Sequence, residues 1–366
     1  MYVVTNREIR SPRRYQGLDI FGSEPNPKGP NELRIVEVTP DGAGGYIAEP
    51  VPDELTLREA RALRRAYRMD IDERIYRYGS LRVACSLMEQ ARTERRHVLV
   101  YVHGYNNDMH DVVRTCEALE ALYGVIVLPF SWPANGGGVV AGTAAYLNDK
   151  QDARASMDAL NRFLGKLQFF HEKLTEARKD ELWAQAAVEH PDNPSAAQQR
   201  FAELLDADCQ ITLNMLLHSM GCYLLKYALR PSSAASRELI FDNITLAAAD
   251  ANNAAHEVWV EELRVRNRLY ITINENDFAL EWSRRKPGDE QLARLGDYLL
   301  NLIATNARYL DVTRADAVGN AHNYFTGEPV QRNQGLKGMF FRALTGGRAE
   351  DRHMTFESDV NAYRLR

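Results

Sequence analysis

The residues best suited to chemistry lie in the short stretch 217–221, with the sequence LHSMG. An apolar run, 211–217, leads into this stretch, and an apolar segment with helical spacing follows it at once. This order predicts a strand, a sharp turn and a helix, with the Ser219 hydroxyl projecting from the turn as in a nucleophile elbow. Gly221 lacks a Cβ, so the helix can begin close against the strand. We therefore expect Ser219 to be a nucleophile rather than a buried serine at an ordinary strand–helix junction.

A serine hydroxyl attacks poorly until a base accepts its proton, so Ser219 requires a histidine that is oriented by a carboxylate. In an open α/β sheet, reactive groups gather beyond the carboxyl ends of the strands. Asp250 and Asp277 each follow an apolar run. We favour Asp277, because the chain order is then nucleophile, acid and base. Asp250 is the alternative acid, and either aspartate could simply cap a helix. His322, in a loop-like stretch after a later strand, is the predicted base.

Negative charge develops on a carbonyl oxygen under attack, and backbone N–H groups commonly stabilise it in an oxyanion hole. The residue after the nucleophile, Met220, is the first predicted donor. The second is the Tyr105 N–H in the stretch 103–107, HGYNN, which ends an earlier apolar run. We expect His103 to orient this loop and His218 to support the turn at the serine.

These groups depend on a series of apolar, β-branched runs that predict strands buried on both faces of a parallel sheet. The runs are 97–102, 125–130, 211–217, 244–249, 268–273 and 307–312, with two leading strands at 2–5 and 33–39. Segments with helical spacing between the runs predict right-handed crossovers. We therefore predict a single α/β domain over 1–366, doubly wound around a mostly parallel sheet, and expect 307–312 to be its last strand.

Two segments fit this pattern less well. Residues 170–208 are rich in Glu, Lys, Ala and Gln and predict an inserted helical segment. Such an insertion can be a lid over a site or a solvated excursion, and the sequence leaves both open. The tail 335–366 has no clear periodicity and stays unassigned.

The composition limits the partners that the protein can have. Lys and Arg number 45 against 50 Asp and Glu, for a formal net charge of −5. With no long basic run, a nucleic-acid footprint is not visible. The first residues do not resemble a signal peptide, and no apolar run approaches the ~20 residues of a membrane span. We expect a cytoplasmic protein without a transmembrane segment, and the sequence does not indicate the oligomeric state.

No pattern in the sequence indicates a metal or an organic cofactor. The four cysteines, Cys85, Cys116, Cys209 and Cys222, are scattered, without metal-ligand or disulfide-framework spacing. We expect reduced, buried thiols. The glycine clusters lack the spacing of dinucleotide and phosphate-binding loops.

Taken together, these residues resemble the α/β-hydrolase superfamily, in particular a bacterial esterase- or lipase-like branch of unknown function (DUF900-like). The likeness covers about 97–325 and rests on VLVYVHGYNN, FSWP, the stretch 146–153, LHSMG, NENDFAL and AHNYF. It implies that Ser219, Asp277 and His322 are nucleophile, acid and base. One departure is Leu217, where the common pattern has glycine or another small residue.

The expected function is that of a serine esterase- or lipase-like hydrolase. Its substrate would be a small-molecule or lipid-like carboxylic ester or related acyl compound, cleaved through an acyl-enzyme intermediate. Two alternatives stay open: a non-catalytic α/β-hydrolase scaffold that acts as a binding or regulatory module, and an acyltransferase that uses the same triad.

Overall fold

A computed structural model describes residues 1–134, 142–208, 211–229, 239–285 and 292–365, with the side chains of 142–145 outside the description. The strands are β1 (Tyr2–Thr5), β2 (Arg7–Ile9), β3 (Phe21–Pro25), β4 (Arg34–Pro40), β5 (Tyr46–Pro50), β6 (Val98–Val102), β7 (Ile126–Ser131), β8 (Leu213–His218), β9 (Asn243–Ala247), β10 (Arg268–Ile273), β11 (Ala307–Asp311), β12 (Met354–Glu357) and β13 (Ala362–Leu365). The helices are α1 (Leu57–Ala66), α2 (Gly79–Glu94), α3 (Met109–Tyr123), α4 (Gly142–Ala155), α5 (Met157–Glu189), α6 (Pro194–Asp208), α7 (Met220–Ala228), α8 (Glu257–Val260), α9 (Phe278–Arg285), α10 (Glu328–Arg332) and α11 (Gln334–Leu344).

Within the described ranges, eleven strands form one sheet in the order β12-β13-β11-β10-β9-β8-β6-β7-β1-β4-β5, and β2 pairs with β3 apart from it. Neighbours from β13 through β1 are parallel, while β4, β5 and β12 are antiparallel. The strands β7 and β8 lie on opposite sides of β6, so the winding changes direction there. A crevice beyond the carboxyl ends of the strands at such a switch point is a common binding site.

Helices cover both faces of the sheet, as the apolar runs predict. One core layer packs between the sheet and α2, α5 and α7, and the other packs between the sheet and α3 and α11. All six residues of β8 are buried, including the polar Asn214 and His218, so its sequence does not alternate as that of a half-buried strand would. The predicted doubly wound, mostly parallel α/β architecture is confirmed.

The expectation that 307–312 ends the sheet is wrong. The previously unassigned tail contributes α11 and the strands β12 and β13, and β13 pairs with β11 in parallel. Both strands are only four residues long, and β13 buries only its first and last residues. Such short strands near a sheet edge carry too little hydrophobic pattern to be recognised from sequence.

The segment 170–208 is part of a helical hairpin that begins earlier in the chain. Helix α5 is continuous through residue 170, and α6 returns along it, linked by Arg178 to Asp208 at 2.7 Å. Residues from 170 onward line a cavity together with Val98 and Leu213, the first residues of β6 and β8. The hairpin therefore lies toward the amino ends of these strands, opposite to Ser219. The hairpin therefore does not cover Ser219, and its residues Phe170, Leu174 and Ala177 pack in a core cluster with residues of α1 and α2.

Two further observations concern the helices and the cysteines. In the described part of the chain, no helix combines the length and apolarity needed to cross a bilayer. Cys85, Cys116 and Cys222 are free and buried, as expected, whereas Cys209 lies outside the described residues.

Candidate active site

Ser219 occupies the predicted elbow between β8 and α7. Its φ of 53° and ψ of −119° belong to a backbone region that non-glycine residues rarely adopt, so the turn is strained. Three hydrogen bonds hold it: the Ser219 N–H donates to Ala247 O at 3.0 Å, and the Ser219 carbonyl accepts from Cys222 N at 3.0 Å and Asp250 N at 3.1 Å. Neighbouring strand and helix thus maintain a conformation that the serine would not adopt alone.

The loop after β6 lies directly against the elbow. A Cβ on Gly104 would be 2.8 Å from Ser219 Cβ, and one on Gly221 would be 2.7 Å from Val102 O. Both distances are too short for a real side chain, so glycine is required where loop, strand and helix meet. Leu217, the departure from the common pattern, is fully buried in the core layer and leaves the elbow intact.

Asp277 and His322 lie in contact. His322 Nδ1 is 2.8 Å from Asp277 Oδ2 and 3.0 Å from Oδ1. The same carboxylate accepts hydrogen bonds from the N–H groups of Ala279 at 2.9 Å and Leu280 at 3.1 Å, at the start of α9. Asp277 is fully buried, whereas the His322 side chain is 19% exposed. Helix capping and histidine orientation, which the sequence presented as alternatives, occur together.

Polar anchors hold the loop that carries His322. The Asn274 amide donates to Gly319 O at 3.1 Å and Ala321 O at 3.0 Å, on the chain just before the histidine. The Tyr324 hydroxyl, just after it, accepts from Ala248 N at 3.0 Å. The histidine is therefore fixed to the carboxyl ends of β9 and β10.

His218 joins the elbow to the histidine loop. Its Nε2 donates to His322 O at 3.3 Å, and its ring lies 4.6 Å from the His322 ring and 5.0 Å from that of Phe325. Burial, reinforced by His322, holds the pKa of His218 well below its ordinary value, so the ring is neutral. We expected His218 to support the turn, but its ring contacts support the loop of the predicted base.

Ser219 and His322 are brought to the same edge of the sheet without a direct hydrogen bond. Within the described residues, His322 uses Nδ1 for Asp277 and its carbonyl for His218, and the Ser219 hydroxyl does not bond to the imidazole. Catalytic hydrogen bonds are often long or misaligned until substrate binds. The contact between Asp277 and His322, which orients the predicted base, is thus formed in this structure. The hydrogen bond between Ser219 and His322 is not.

The alternative acid, Asp250, has other partners. Its carboxylate accepts from Ser283 Oγ at 2.6 Å and from the Tyr146 hydroxyl at 3.0 Å, and it pairs with Arg294 Nε at 3.0 Å. Asp250 and Arg294 are both almost fully buried. Burial and the nearby Asp250 raise the pKa of the Tyr146 phenol above its ordinary value. Asp250 is therefore part of a buried polar network beside the elbow, and the structure pairs it with an arginine instead of a histidine.

Arg7, which the sequence gave no reason to select, holds the loops at the ends of β6 and β7. Its guanidinium donates to Asn107 O at 2.9 Å, to Ser131 Oγ at 2.9 Å and to Ala134 O at 3.1 Å. Burial lowers the pKa of Arg7 to about 10, against the opposing effect of Asp149 and other nearby carboxylates. Arg7 lies some 100 positions before HGYNN, and the sequence around it contains no pattern that could indicate this contact.

His103 orients the loop that it begins, as expected. Its Nδ1 donates to Gly104 O at 2.9 Å, its Nε2 accepts from Trp132 N at 3.2 Å, and its ring stacks on that of Trp132 at 5.2 Å. Burial and the positive charge of Arg7 lower the pKa of His103 to about 3. The ring is therefore a neutral structural bridge.

The two residues predicted to donate to an oxyanion adjoin Ser219 from different sides. Met220 begins α7, where the first N–H groups of a helix have no acceptor within the helix. Tyr105 follows Gly104, and its carbonyl accepts from Asn107 Nδ2 at 2.7 Å. The next amide, of Asn106, donates to Asp149 Oδ2 at 3.0 Å, which fixes the loop further. For the described residues, no group of three or more His, Cys, Asp or Glu side chains is arranged to hold a metal ion.

Residues 83–175 match the family model described as "Alpha/beta hydrolase of unknown function (DUF900)". The chain has a doubly wound α/β fold around a mostly parallel sheet, and the matched segment is similar to α/β hydrolases. The matched range contains β6, the HGYNN loop, α3 and β7, and it ends before Ser219. The match confirms the resemblance that the sequence motifs indicated, and it identifies no activity. No match was found among curated proteins or among solved structures.

Proposed function

We propose that this α/β-hydrolase-fold protein is a serine hydrolase that cleaves a carboxylic ester or related acyl bond. Ser219 Oγ attacks the acyl carbonyl while His322 takes its proton, and His322 then gives that proton to the leaving group. Water, deprotonated by the same histidine, releases the acid from the acyl-enzyme and restores Ser219. The contact of 2.8 Å between Asp277 and His322, at the edge that carries the Ser219 elbow, is the main support for these roles.

Asp277 has two effects in this mechanism. It holds the imidazole so that Nδ1 carries the proton and Nε2 is available as the base, and it stabilises the imidazolium that forms during attack. The N–H groups of Met220 and Tyr105 stabilise the oxyanion. The substrate class is a small-molecule or lipid-like acyl compound.

A non-catalytic scaffold is the competing function, and one observation favours it: the Ser219 hydroxyl is not bonded to His322. Hydrolysis of p-nitrophenyl acetate, butyrate and octanoate distinguishes the two. We expect wild-type turnover, and a loss of about 10³-fold or more in kcat for Ser219→Ala, the scale seen when a triad member is removed. Ser195→Ala, at an exposed serine in α6, is the matched control and should retain wild-type rates. Equal rates for wild type and Ser219→Ala would support the scaffold.

Acyl transfer by the same three residues is separated from hydrolysis by the products. With methanol or a small thiol added, a hydrolase releases mainly free acid, and a transferase releases mainly the new ester or thioester. We expect free acid.

A further inference from the structure

Two adjoining cavities lie between the sheet and the helices α2 and α5. Their volumes are about 290 and 490 Å³, and both are lined by Ala84, Leu87, Leu128, Leu167 and Phe170. A water molecule occupies about 30 Å³, and small-molecule pockets run from roughly 300 to 1,000 Å³. The two cavities share these five lining residues and therefore lie side by side, and the larger one alone is of the size of a small-molecule pocket.

This space is remote from the candidate active site. Neither cavity is lined by Ser219, Asp277 or His322. The larger cavity opens at the amino ends of the strands, beside Val98 and Leu213, and β8 runs from there to the elbow. Six strand residues span about 20 Å. The cavity is therefore a separate site, and an inference about it does not depend on the proposed hydrolysis.

The wall of the larger cavity carries more cations than anions. It includes four cationic side chains and the carboxylates Asp208 and Asp242. Arg178 is paired with Asp208 at 2.7 Å, whereas Arg266 approaches Asp242 only to 3.8 Å. The other two cations are Arg92 and Lys179.

His171 adds a neutral hydrogen-bond donor to this wall. Burial, reinforced by the charge of Arg266, lowers the pKa of His171 to about 4. Arg266, Lys179 and His171 all line the larger cavity. They place cationic and hydrogen-bonding groups on its wall, beside the apolar side chains.

We propose that the adjoining cavities bind a long-chain fatty acid. Its hydrocarbon chain lies among Leu87, Leu128 and Phe170, and its carboxylate is held at the wall of the larger cavity that carries Lys179, Arg266 and His171. The apolar walls suit an alkyl chain, and the excess of cations at the larger cavity selects an anionic head over a neutral one.

Displacement of cis-parinarate, a fatty acid that fluoresces in apolar surroundings, tests this site on the full-length, delipidated protein. We expect palmitate to displace the probe, and each methylene removed from the competitor should weaken binding up to about fourfold. 1-Hexadecanol, which has the chain without the charge, should compete at least tenfold less well. Failure of wild type to bind the probe, or equal competition by palmitate and 1-hexadecanol, would overturn the proposal.

Three variants test where the fatty acid binds. Lys179→Gln with Arg266→Gln should weaken palmitate binding at least tenfold, and both side chains are on the surface, so the fold should be unaffected. Lys28→Gln with Arg264→Gln removes the same charge from exposed residues outside the cavity and should bind as wild type does. Ala84→Phe should block binding by filling the shared space.

Ser219→Ala should bind palmitate unchanged, which separates this site from the candidate active site. Loss of binding in Ser219→Ala, or equal losses in the two double variants, would contradict a site between α2 and α5. Binding in Ser219→Ala together with absent ester hydrolysis in wild type would leave this proposal supported and the proposed hydrolase function refuted.

Discussion

The Asp277 carboxylate caps helix α9 and receives His322 Nδ1 at 2.8 Å. The two backbone N–H groups at the helix start fix the carboxylate, and the carboxylate in turn fixes the imidazole. A helix terminus therefore determines the orientation of the predicted base, and the two roles of Asp277 can be separated by mutation.

Asp277→Asn should reduce kcat for ester hydrolysis by about 10⁴-fold, because an amide can hold the imidazole in the wrong tautomer. Asparagine caps a helix about as well as aspartate, so the free energy of unfolding should change little. Asp277→Ala should lose the same activity and, in addition, about 1 kcal/mol of stability. Steady-state kinetics and urea unfolding of both variants make the comparison. An Asp277→Asn variant with near wild-type kcat would exclude Asp277 as the acid.

Asp250→Asn should lose stability and keep most of its activity, which is the reverse of the result expected for Asp277→Asn. Replacing the Asp250 carboxylate breaks its buried ion pair with Arg294 and should cost up to about 3–5 kcal/mol in the free energy of unfolding. Activity per folded molecule should fall far less than in Asp277→Asn. Because the two side chains are coupled through this ion pair, Asp250→Leu combined with Arg294→Met should be more stable than the sum of the single effects. If the losses of stability in the two single variants simply add in the double variant, the ion pair is not the source of the cost.

Gly104→Ala tests the close contact between the HGYNN loop and the elbow. The new methyl group would stand 2.8 Å from Ser219 Cβ, so loop or serine must move. A misplacement of about 1 Å can reduce the rate about 10²-fold, and we expect a loss of that order in kcat/KM. Gly165→Ala, in α5, is the matched control: nothing lies within 4 Å of its Cβ, and alanine there should add about 0.5–1 kcal/mol of stability with unchanged activity. Wild-type kcat/KM in Gly104→Ala would refute the required contact.

Acid should destabilise the protein through His103. Its pKa is lowered to about 3 in the folded state, so below pH 6.5 the unfolded chain binds a proton that the folded chain excludes. The stability is complete above the unfolded pKa and falls as the pH drops from about 6.5 toward 3. Between pH 7 and pH 5, wild type should lose about 2 kcal/mol more than His103→Gln. Urea unfolding at both pH values measures this difference, with exposed His353→Gln as a control that should follow wild type. Equal losses of stability in wild type and His103→Gln would show that the acid sensitivity comes from other groups.

The sheet and the order of the site residues could be predicted because they depend on local sequence. A buried strand such as β6 is a continuous apolar run, and parallel strands place their carboxyl ends at one edge. That rule predicts that the residues after β8, β10 and β11 lie at the same edge, and the preference for Asp277 over Asp250 as the acid rests on chain order and stays a prediction.

Other features depend on contacts between distant residues and could not be predicted. Arg7 reaches the loops after β6 and β7 from the second strand of the chain, and β13 is defined by its pairing with β11. The ion pair of Asp250 with Arg294 joins residues with no shared motif. Each of these features depends on a partner residue that only the folded chain brings near, so the local sequence contains no pattern that indicates it.

Reaction of the intact protein with a fluorophosphonate, followed by mass spectrometry, tests the central claim most directly, because such reagents phosphonylate only an activated serine. We predict one adduct per chain, located on Ser219, absent from Ser219→Ala and formed much more slowly in His322→Gln. An unmodified wild-type protein, or equal modification of Ser219→Ala, would contradict the assignment of Ser219 as a nucleophile.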